Sequence, residues 1–167
     1  MHKIQQARAI ASRFQQIKIR QLTNDGRTVN AAISPDGKFF VFVWADVADP
    51  EKMSLRLGQM NGEGPIELRP AANVVYEGLA FAPDGNSIYY VVNDAKQNNE
   101  TLYRIPVLGG VAVRLREGIA PFFAISPDGK RVAFVRSDAD KKPGMSWYPI
   151  SMGRTRTWSS RFRSGVN

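Results

Sequence analysis

The pattern of apolar and polar positions divides most of the chain into short strands joined by polar turns. Three runs rich in aromatic and branched residues, KFFVFVW, NSIYYVV and KRVAFVR, each follow a Pro-Asp-Gly turn. Aromatic and β-branched residues at this density favour β-strands. The segment FFVFVW is apolar at successive positions, so both faces of this strand must be covered.

The turn itself is written three times, beginning at Ser34, Ala82 and Ser126, with spacings of 48 and 44 residues. Proline fixes φ at the second turn position, serine suits the first, and glycine accepts a positive φ, which together favour a tight hairpin. The aspartates are interpreted as turn residues that bond local amides rather than as metal ligands arranged on a ring. The predicted structural turn residues are Ser34, Pro35, Asp36 and Gly37; Pro83, Asp84 and Gly85; and Ser126, Pro127, Asp128 and Gly129.

A second internal match extends the repeat beyond the turn. The segment SLRLGQMNGEGPIEL at 54–68 aligns without a gap on TLYRIPVLGGVAVRL at 101–115. Each repeat then contains four strand candidates. They lie near 31–34, 39–45, 54–60 and 65–69 in the first repeat, and near 78–81, 87–93, 101–107 and 111–115 in the second.

Four-stranded units at this period are typical of β-propeller blades. We therefore predict an all-β fold, a partial β-propeller of about two and two-thirds blades. The predicted units within residues 17–140 are a blade at 31–69, a blade at 78–115 and a partial blade at 122–140.

These repeats resemble the TolB-type, WD-like propeller repeat over about residues 14–140. The segments FQQIKIRQLTNDG, AAISPDGK, YEGLAFAPDGNSIYYV, TLYRIPVLGG and ISPDGKRVAFVR are similar to the propeller that follows the membrane segment in acidobacterial serine/threonine kinases and winged-helix regulators. The resemblance implies a six-bladed ring that serves as a sensory or protein-interaction module outside the cytoplasmic membrane. No segment matches a kinase glycine-rich loop, HRD or DFG, so no catalytic residue is carried over.

The N-terminal end carries two predicted elements. Residues 1–16 are predicted to form a linker with a short helix, since apolar residues recur at helical spacing, and a membrane-surface anchor is the alternative. Residues 17–23 are predicted as an outer strand, because Leu22 matches Leu68 and Leu115 in the last strand of each repeat. In closed propellers such a strand completes the final blade.

The C-terminal end loses the register of the repeat after about residue 140. Residues 141–167 are therefore predicted as an irregular basic tail. One explanation is a truncated or frame-shifted end of a longer reading frame. The other is a basic aromatic arm for an anionic partner, formed by Trp147, Trp158, Arg161 and Arg163.

Composition narrows the chemistry that the chain can perform. There is no cysteine and the single histidine is His2, which argues against disulfides, thiolate nucleophiles, Ser-His-Asp catalysis and multi-histidine metal sites. We predict no catalytic, cofactor-binding or metal-binding residue, no cofactor, and no enzyme activity. No apolar run approaches the roughly 20 residues of a membrane span, and no export signal is evident, so no membrane partner is predicted for this chain.

The net charge of +8 is concentrated at the two ends of the chain. Residues 1–20 carry five basic side chains and residues 141–167 carry six, with no acidic residue in either segment. The middle of the chain is therefore slightly acidic, whereas a phosphate-binding surface concentrates Lys and Arg on the folded part. Nucleic acid is accordingly not a predicted partner.

Three functional hypotheses follow from the repeats, the resemblance and the composition. The first is a non-catalytic module of a bacterial signalling protein that binds a protein or small ligand, with variable loops at 46–52 and 94–100 on a rigid scaffold. The second is an accessory propeller that gates a prolyl-oligopeptidase-like hydrolase encoded elsewhere, since G-x-S-x-G is absent here. The third is a fragment without function alone, whose open blade edges favour self-association.

Overall fold

The computed structural model describes residues 19–62, 64–94, 99–136 and 144–150. Within these ranges the chain forms only β-strands, turns and connecting segments, arranged as three antiparallel sheets. The first sheet contains β1 (Thr28–Ile33), β2 (Phe39–Ala45), β3 (Lys52–Gln59) and β4 (Ile66–Asn73); the second contains β5 (Val75–Phe81), β6 (Ser87–Asp94), β7 (Asn99–Pro106) and β8 (Val113–Glu117); the third contains β9 (Ile119–Ile125), β10 (Arg131–Arg136) and β11 (Met145–Pro149).

Each sheet is an up-and-down blade whose strands lie in chain order. The inner strands β1, β5 and β9 lie next to one another, and successive blades pack face to face. This arrangement confirms the predicted all-β, partial β-propeller fold, with two four-stranded blades and a three-stranded third blade.

The three Pro-Asp-Gly motifs form the turns between the first and second strands of the blades. Gly37, Gly85 and Gly129 have φ of 69°, 73° and 67°, a backbone conformation that favours glycine. In the first turn, the Ser34 hydroxyl accepts a hydrogen bond from the Phe39 amide at 2.9 Å and donates one to Asp36 at 2.7 Å. Side chain and backbone therefore fix the same hairpin.

The strand β6 lies at the centre of the packing between blades. Its residues alternate, with Ile88 and Tyr90 in the cluster shared with the first blade, and Tyr89 and Val91 in the cluster shared with the third. Successive side chains of a strand point to opposite faces, so a strand between two blades must be apolar at every position. Burial of each large side chain stabilises the stack by about 1.5–3 kcal/mol.

The predicted outer strand at 17–23 is wrong over its described residues, 19–23, which form no strand. They lie against the first blade, where Arg20 donates a hydrogen bond to Asn61 at 3.2 Å, and Ile19 is 94% exposed. A strand needs a partner for its backbone, and in the described part of the chain β1 and β4, the edges of this sheet, pair only within their own blade. The predicted helix at 1–16 lies outside the described residues.

The third blade continues beyond the predicted end of the register at residue 140. Met145 pairs with Val135, as Leu102 pairs with Val91, so β11 enters one residue earlier than the spacing of the second repeat suggests. The strand forms because its backbone pairs with β10 and because Tyr148 is buried against the second blade. Residues 145–149 thus correct the prediction of an irregular tail from 141, and Trp147 belongs to a strand rather than an arm; residues 151–167, with Trp158, Arg161 and Arg163, lie outside the described residues.

Candidate binding groove between the first two blades

A groove of about 520 Å³ separates the outer part of the first blade from the second blade. One wall is β4 and the residue that follows it, and the opposite wall is formed by β5, β6, β7 and the segment before β8. The two sheets pack together through a shared apolar cluster that includes Leu68 of β4, and the groove lies beside this cluster. Its lining consists of Arg69, Pro70, Ala72, Val74, Tyr76, Tyr90, Val92, Asp94, Asn99, Thr101, Tyr103, Gly110, Val111 and Ala112.

Three tyrosines form the aromatic wall of the groove. Tyr90 and Tyr103 are opposite each other across β6 and β7, so their side chains lie on one face, with ring centroids 5.6 Å apart and an interplanar angle of 15°. Tyr76, from β5, packs at a tilt against Tyr90 with centroids 5.7 Å apart. Tyr76 and Tyr90 are buried, whereas Tyr103 is half-buried. The wall is therefore rigid at its base and accessible at Tyr103.

Burial favours the neutral form of the Tyr76 and Tyr90 hydroxyls. Burial raises the pKa of Tyr90 to about 12, against an opposing effect of the Arg69 charge. Burial also raises the pKa of Tyr76, although Arg69 acts against this shift through its charge and a side-chain hydrogen bond. A neutral hydroxyl is both a donor and an acceptor, so the groove offers hydroxyl groups and one exposed guanidinium on an aromatic wall.

The second junction, between the second and third blades, places an equivalent arginine differently. The alignment of 54–68 on 101–115 puts Leu115 and Arg116 at the positions of Leu68 and Arg69. The Arg116 guanidinium lies 5.5 Å from the ring centroids of both Phe134 and Tyr148, and its Nε is buried without a hydrogen-bond partner. This arginine therefore packs over two rings of the third blade and is less exposed than Arg69.

Register explains why the two junctions differ. Tyr148 lies opposite Val132 in the third blade, and Ile105 lies opposite Ile88 in the second blade. Val132 and Ile88 are each the third residue after the turn glycine of their blade, so Tyr148 and Ile105 occupy equivalent positions. The third blade thus presents a large aromatic ring where the second blade presents isoleucine. The larger side chain reaches the arginine at the second junction.

The outer face of the third blade is a second, mostly apolar surface. Trp147 is 46% exposed and Met145 is 83% exposed, and Phe122 and Val135 are exposed beside them. A shallow cavity of about 290 Å³ is lined there by Ala124, Ile125, Ser126, Arg131, Ala133 and Trp147. Self-association was predicted from open edges, and this single chain does not test it, so it stays a prediction.

The outer face of the first blade is partly covered by the chain itself. The Trp44 indole donates a hydrogen bond to Asp25 at 2.7 Å. The guanidinium groups of Arg27 and Arg56 lie 4.9 Å and 4.0 Å from the Trp44 ring centroid. The segment before β1 thus packs where this blade has no neighbouring sheet in the described part of the chain.

The aspartate carboxylates of the predicted turns accept hydrogen bonds from groups within the same turn. Hydrogen bonds from Ser34 and Ser126, together with nearby backbone amides, lower the pKa of Asp36 and Asp128. Asp84 accepts a hydrogen bond from the Asn86 amide at 3.0 Å, in a turn that begins with Ala82 instead of serine. Among the residues that the structure describes, no group of three or more histidine, cysteine, aspartate or glutamate side chains is placed to hold a metal ion.

A pair of glutamates lies near one end of the second blade. Burial raises the pKa of Glu77, and the charge of Glu100 raises it further. The Glu77 carbonyl accepts a hydrogen bond from the Asn30 side chain, which connects the inner strands of the first two blades.

We also find no helix in the described residues that is long and apolar enough to cross a membrane.

No binding residue between the blades was predicted from the sequence, so the groove was missed. The alignment of Leu68-Arg69 with Leu115-Arg116 was a usable signal, as was the column that contains Phe42, Tyr90 and Phe134. Neither pattern reveals that one arginine is covered and the other is not. That difference depends on side chains from the next blade.

Comparison with solved structures identifies the fold. TolB from Acinetobacter baumannii is similar at a TM-score of 0.58 and 22% identity, over 69% of this chain and 29% of that chain. The β-propeller domain of the Trilobed protease from Pyrococcus furiosus, described as having an open velcro topology, is similar at a TM-score of 0.52 and 11% identity, over 78% of this chain and 45% of that chain.

The chain therefore has a TolB-like β-propeller fold and spans less than half the length of either structure. Identities this low show the fold alone. No protein-family model and no curated protein sequence matches the chain.

Proposed function

We propose that the chain is a non-catalytic β-propeller module that binds a ligand in the groove between its first two blades. The observation that carries this proposal is the contrast between equivalent arginines. Arg116 lies over Phe134 and Tyr148 within the structure, whereas Arg69 is exposed along a tyrosine-lined groove. Arg69 is exposed and hydrogen-bonds Tyr76, so its remaining N–H groups can contact a ligand in the groove.

Size and composition support the same conclusion. Ligand sites usually enclose about 300–1,000 Å³ and combine apolar walls with a few polar groups. The groove, at about 520 Å³, has valine and alanine walls together with hydroxyl, amide and guanidinium groups. Tyrosine and arginine are also the residues that most often dominate binding energy at protein surfaces.

The polar groups of the groove are suited to recognition. Tyr76 and Tyr90 carry protonated hydroxyls near neutral pH, and burial raises the pKa of each from the ordinary 10.0. A protonated phenol donates and accepts hydrogen bonds. It is a poor general base, because an efficient general base has a pKa near the working pH. We therefore assign the groove to binding rather than to proton transfer.

The finer proposal places this module in a six-bladed ring of a membrane-anchored bacterial signalling protein. It is supported by the resemblance of the repeat segments to the propeller of acidobacterial kinases and regulators. The neighbouring coding sequence provides the test. A kinase or winged-helix domain upstream supports this assignment, and the absence of both from an intact reading frame contradicts it.

A second candidate function is an accessory propeller for a hydrolase. It is favoured by the similarity to the propeller domain of the Trilobed protease, which is a protease component. A hydrolase domain encoded downstream in the same reading frame would support this candidate. An upstream signalling domain without a hydrolase would contradict it.

The groove itself is tested by a fragment screen on the full chain. Fluorinated fragments are screened by ¹⁹F NMR against the wild-type protein, then against Ala112→Trp, which places an indole in the groove. Leu108→Trp is the matched control, because Leu108 is exposed on the same connection without lining the groove. We expect fragments whose binding is lost in Ala112→Trp and kept in Leu108→Trp; a screen without such fragments would overturn the proposal.

A further inference from the structure

We propose that the ligand of this groove is a small monoanion, a carboxylate joined to an aromatic ring. This inference rests on the proposed binding function of the groove and specifies the chemistry that it recognises. The carboxylate is bound by Arg69, and the ring packs against Tyr103. The following observations assign each half of the ligand to its part of the groove.

The anionic half is assigned to Arg69 and the hydroxyl beside it. Arg69 is exposed, so its planar guanidinium can present two parallel N–H donors to a carboxylate. It also makes a side-chain hydrogen bond with the Tyr76 hydroxyl, and burial raises the pKa of Tyr76, which further favours the neutral form. When Arg69 donates to the Tyr76 oxygen, the hydroxyl proton of Tyr76 is left to donate to the same carboxylate.

The aromatic half is assigned to the opposite wall. Tyr90 stacks against one face of Tyr103 and holds that ring in place. Tyr103 is half-buried and lines the groove, so a ligand ring can pack on its accessible surface. Val74, Val92 and Val111 complete an apolar surround, which favours a ring over a polar group such as a sugar.

The local charges favour one negative charge over two. The groove lining contains a single guanidinium, from Arg69, and one carboxylate, from Asp94. Glu67 also lies near enough that its charge contributes to the raised pKa of Tyr76. A dianionic phosphate monoester would be attracted by one cation and repelled by these carboxylates, whereas a monoanion meets less repulsion.

The volume favours a free small molecule. About 520 Å³ accommodates an aryl carboxylate with part of its substituents and falls in the range of small-molecule sites. A peptide that ends in an aromatic residue carries the same terminal chemistry but needs room for its preceding residues. The two sources are therefore separated by experiment.

The test compares 4-fluorophenylacetate with its uncharged isostere, 4-fluorophenylacetamide, by ¹⁹F NMR titration of the full chain. We expect the carboxylate to bind about tenfold more tightly, because the guanidinium contacts are charge-assisted. Arg69→Gln should reduce binding of the carboxylate to that of the amide and leave binding of the amide unchanged. Arg104→Gln is the matched control, since Arg104 follows Tyr103 on β7 and its side chain points to the opposite face.

Each alternative outcome has a defined meaning. Equal binding of the two probes, or equal effects of Arg69→Gln on both, would overturn the assignment of the anion. Tighter binding of phenyl phosphate would overturn the preference for one charge, and tighter binding of an N-acetylated tripeptide ending in 4-fluorophenylalanine would overturn the choice of a small molecule. If neither probe binds, the ligand class is wrong, while the fragment screen with Ala112→Trp decides the groove separately.

Discussion

The two junctions between blades are built from the same repeat but have different surfaces. At the second junction Arg116 lies over the rings of Phe134 and Tyr148, whereas at the first junction Arg69 borders a groove of about 520 Å³. Both arginines follow the leucine that ends the matched segment of their repeat. The same sequence position therefore supports packing at one junction and exposure at the other.

The difference shows which features of a junction are shared by the repeats and which vary between them. The inner strands and the β6 alternation hold both junctions together through buried apolar side chains. The side chains at equivalent positions differ in size, since Tyr148 packs against Arg116 at the second junction and Ile105 occupies the matching position at the first. Binding sites can then arise between blades without altering the core.

The largest expected effect comes from removing a buried ring at the covered junction. Phe134→Ala should lower the free energy of unfolding by about 3–5 kcal/mol, because it deletes a fully buried aromatic side chain. Tyr103→Ala, at the wall of the groove, should cost less, about 1–2 kcal/mol, because Tyr103 is only half-buried. Urea unfolding monitored by circular dichroism measures both values, and equal losses would contradict the contrast between junctions.

The two arginines give a direct comparison at equivalent positions. Arg116→Ala should lower the free energy of unfolding by about 1–2 kcal/mol, since it removes two cation–π contacts and the packing of the arginine stem. Arg69→Ala should lower it by less, about 0.5–1 kcal/mol, because Arg69 is exposed and loses only its hydrogen bond to Tyr76. The same urea titration decides, and a larger loss for Arg69→Ala would reverse the assigned roles.

A smaller effect on the free energy of unfolding is expected at the turn that begins with Ala82. This turn is part of the second blade, which packs against both of its neighbours. Ala82 stands where Ser34 and Ser126 each bond an aspartate and a backbone amide. Ala82→Ser should therefore raise the free energy of unfolding by about 0.5–1 kcal/mol. Thermal unfolding provides the measurement, with Ser34→Ala expected to have the opposite sign; a destabilised Ala82→Ser protein would show that the second turn does not share this geometry.

The smallest effect on the free energy of unfolding near neutral pH is expected from the ionisation of Tyr90 at the first junction, because this group titrates only at alkaline pH. The pKa of Tyr90 is raised from 10.0 to about 12, so its neutral form is favoured by folding. This contribution is present below pH 10 and is lost as pH rises from 10 towards and beyond 12. Tyr90→Phe should reduce the alkaline loss of stability, measured as the slope of unfolding free energy against pH, whereas Phe134 at the equivalent position has no ionisable group. An unchanged slope would contradict the buried environment of Tyr90.

The sequence predicts the parts of this molecule that depend on local contacts. Glycine and proline fix the turns at 34–37, 82–85 and 126–129, and unbroken apolar runs mark strands covered on both faces. The start of β11 was missed because leucine is replaced by Met145 and burial is provided by Tyr148 instead. The strand expected at 17–23 was wrong over 19–23, since matching a pattern with Leu22 does not supply a partner strand.

The groove was not predictable because it depends on contacts between repeats. Arg69 and Arg116 look alike in sequence, and only the placement of Tyr148 against Arg116 distinguishes them. The aromatic column that includes Tyr90 indicates a buried core position but does not reveal the neighbouring open space. Distances between blades are set by the packing of whole sheets.

The most direct test of the account is a map of where a ligand binds. An assigned ¹H–¹⁵N spectrum of the full chain is recorded during titration with a fragment obtained from the ¹⁹F screen. We expect the amides of residues 69, 71–76, 90–92, 101–105 and 107–112 to shift together, with little change at Arg116, Phe134 and Tyr148. Shifts confined to the second junction or to the outer face of the third blade would contradict the assignment of the binding site.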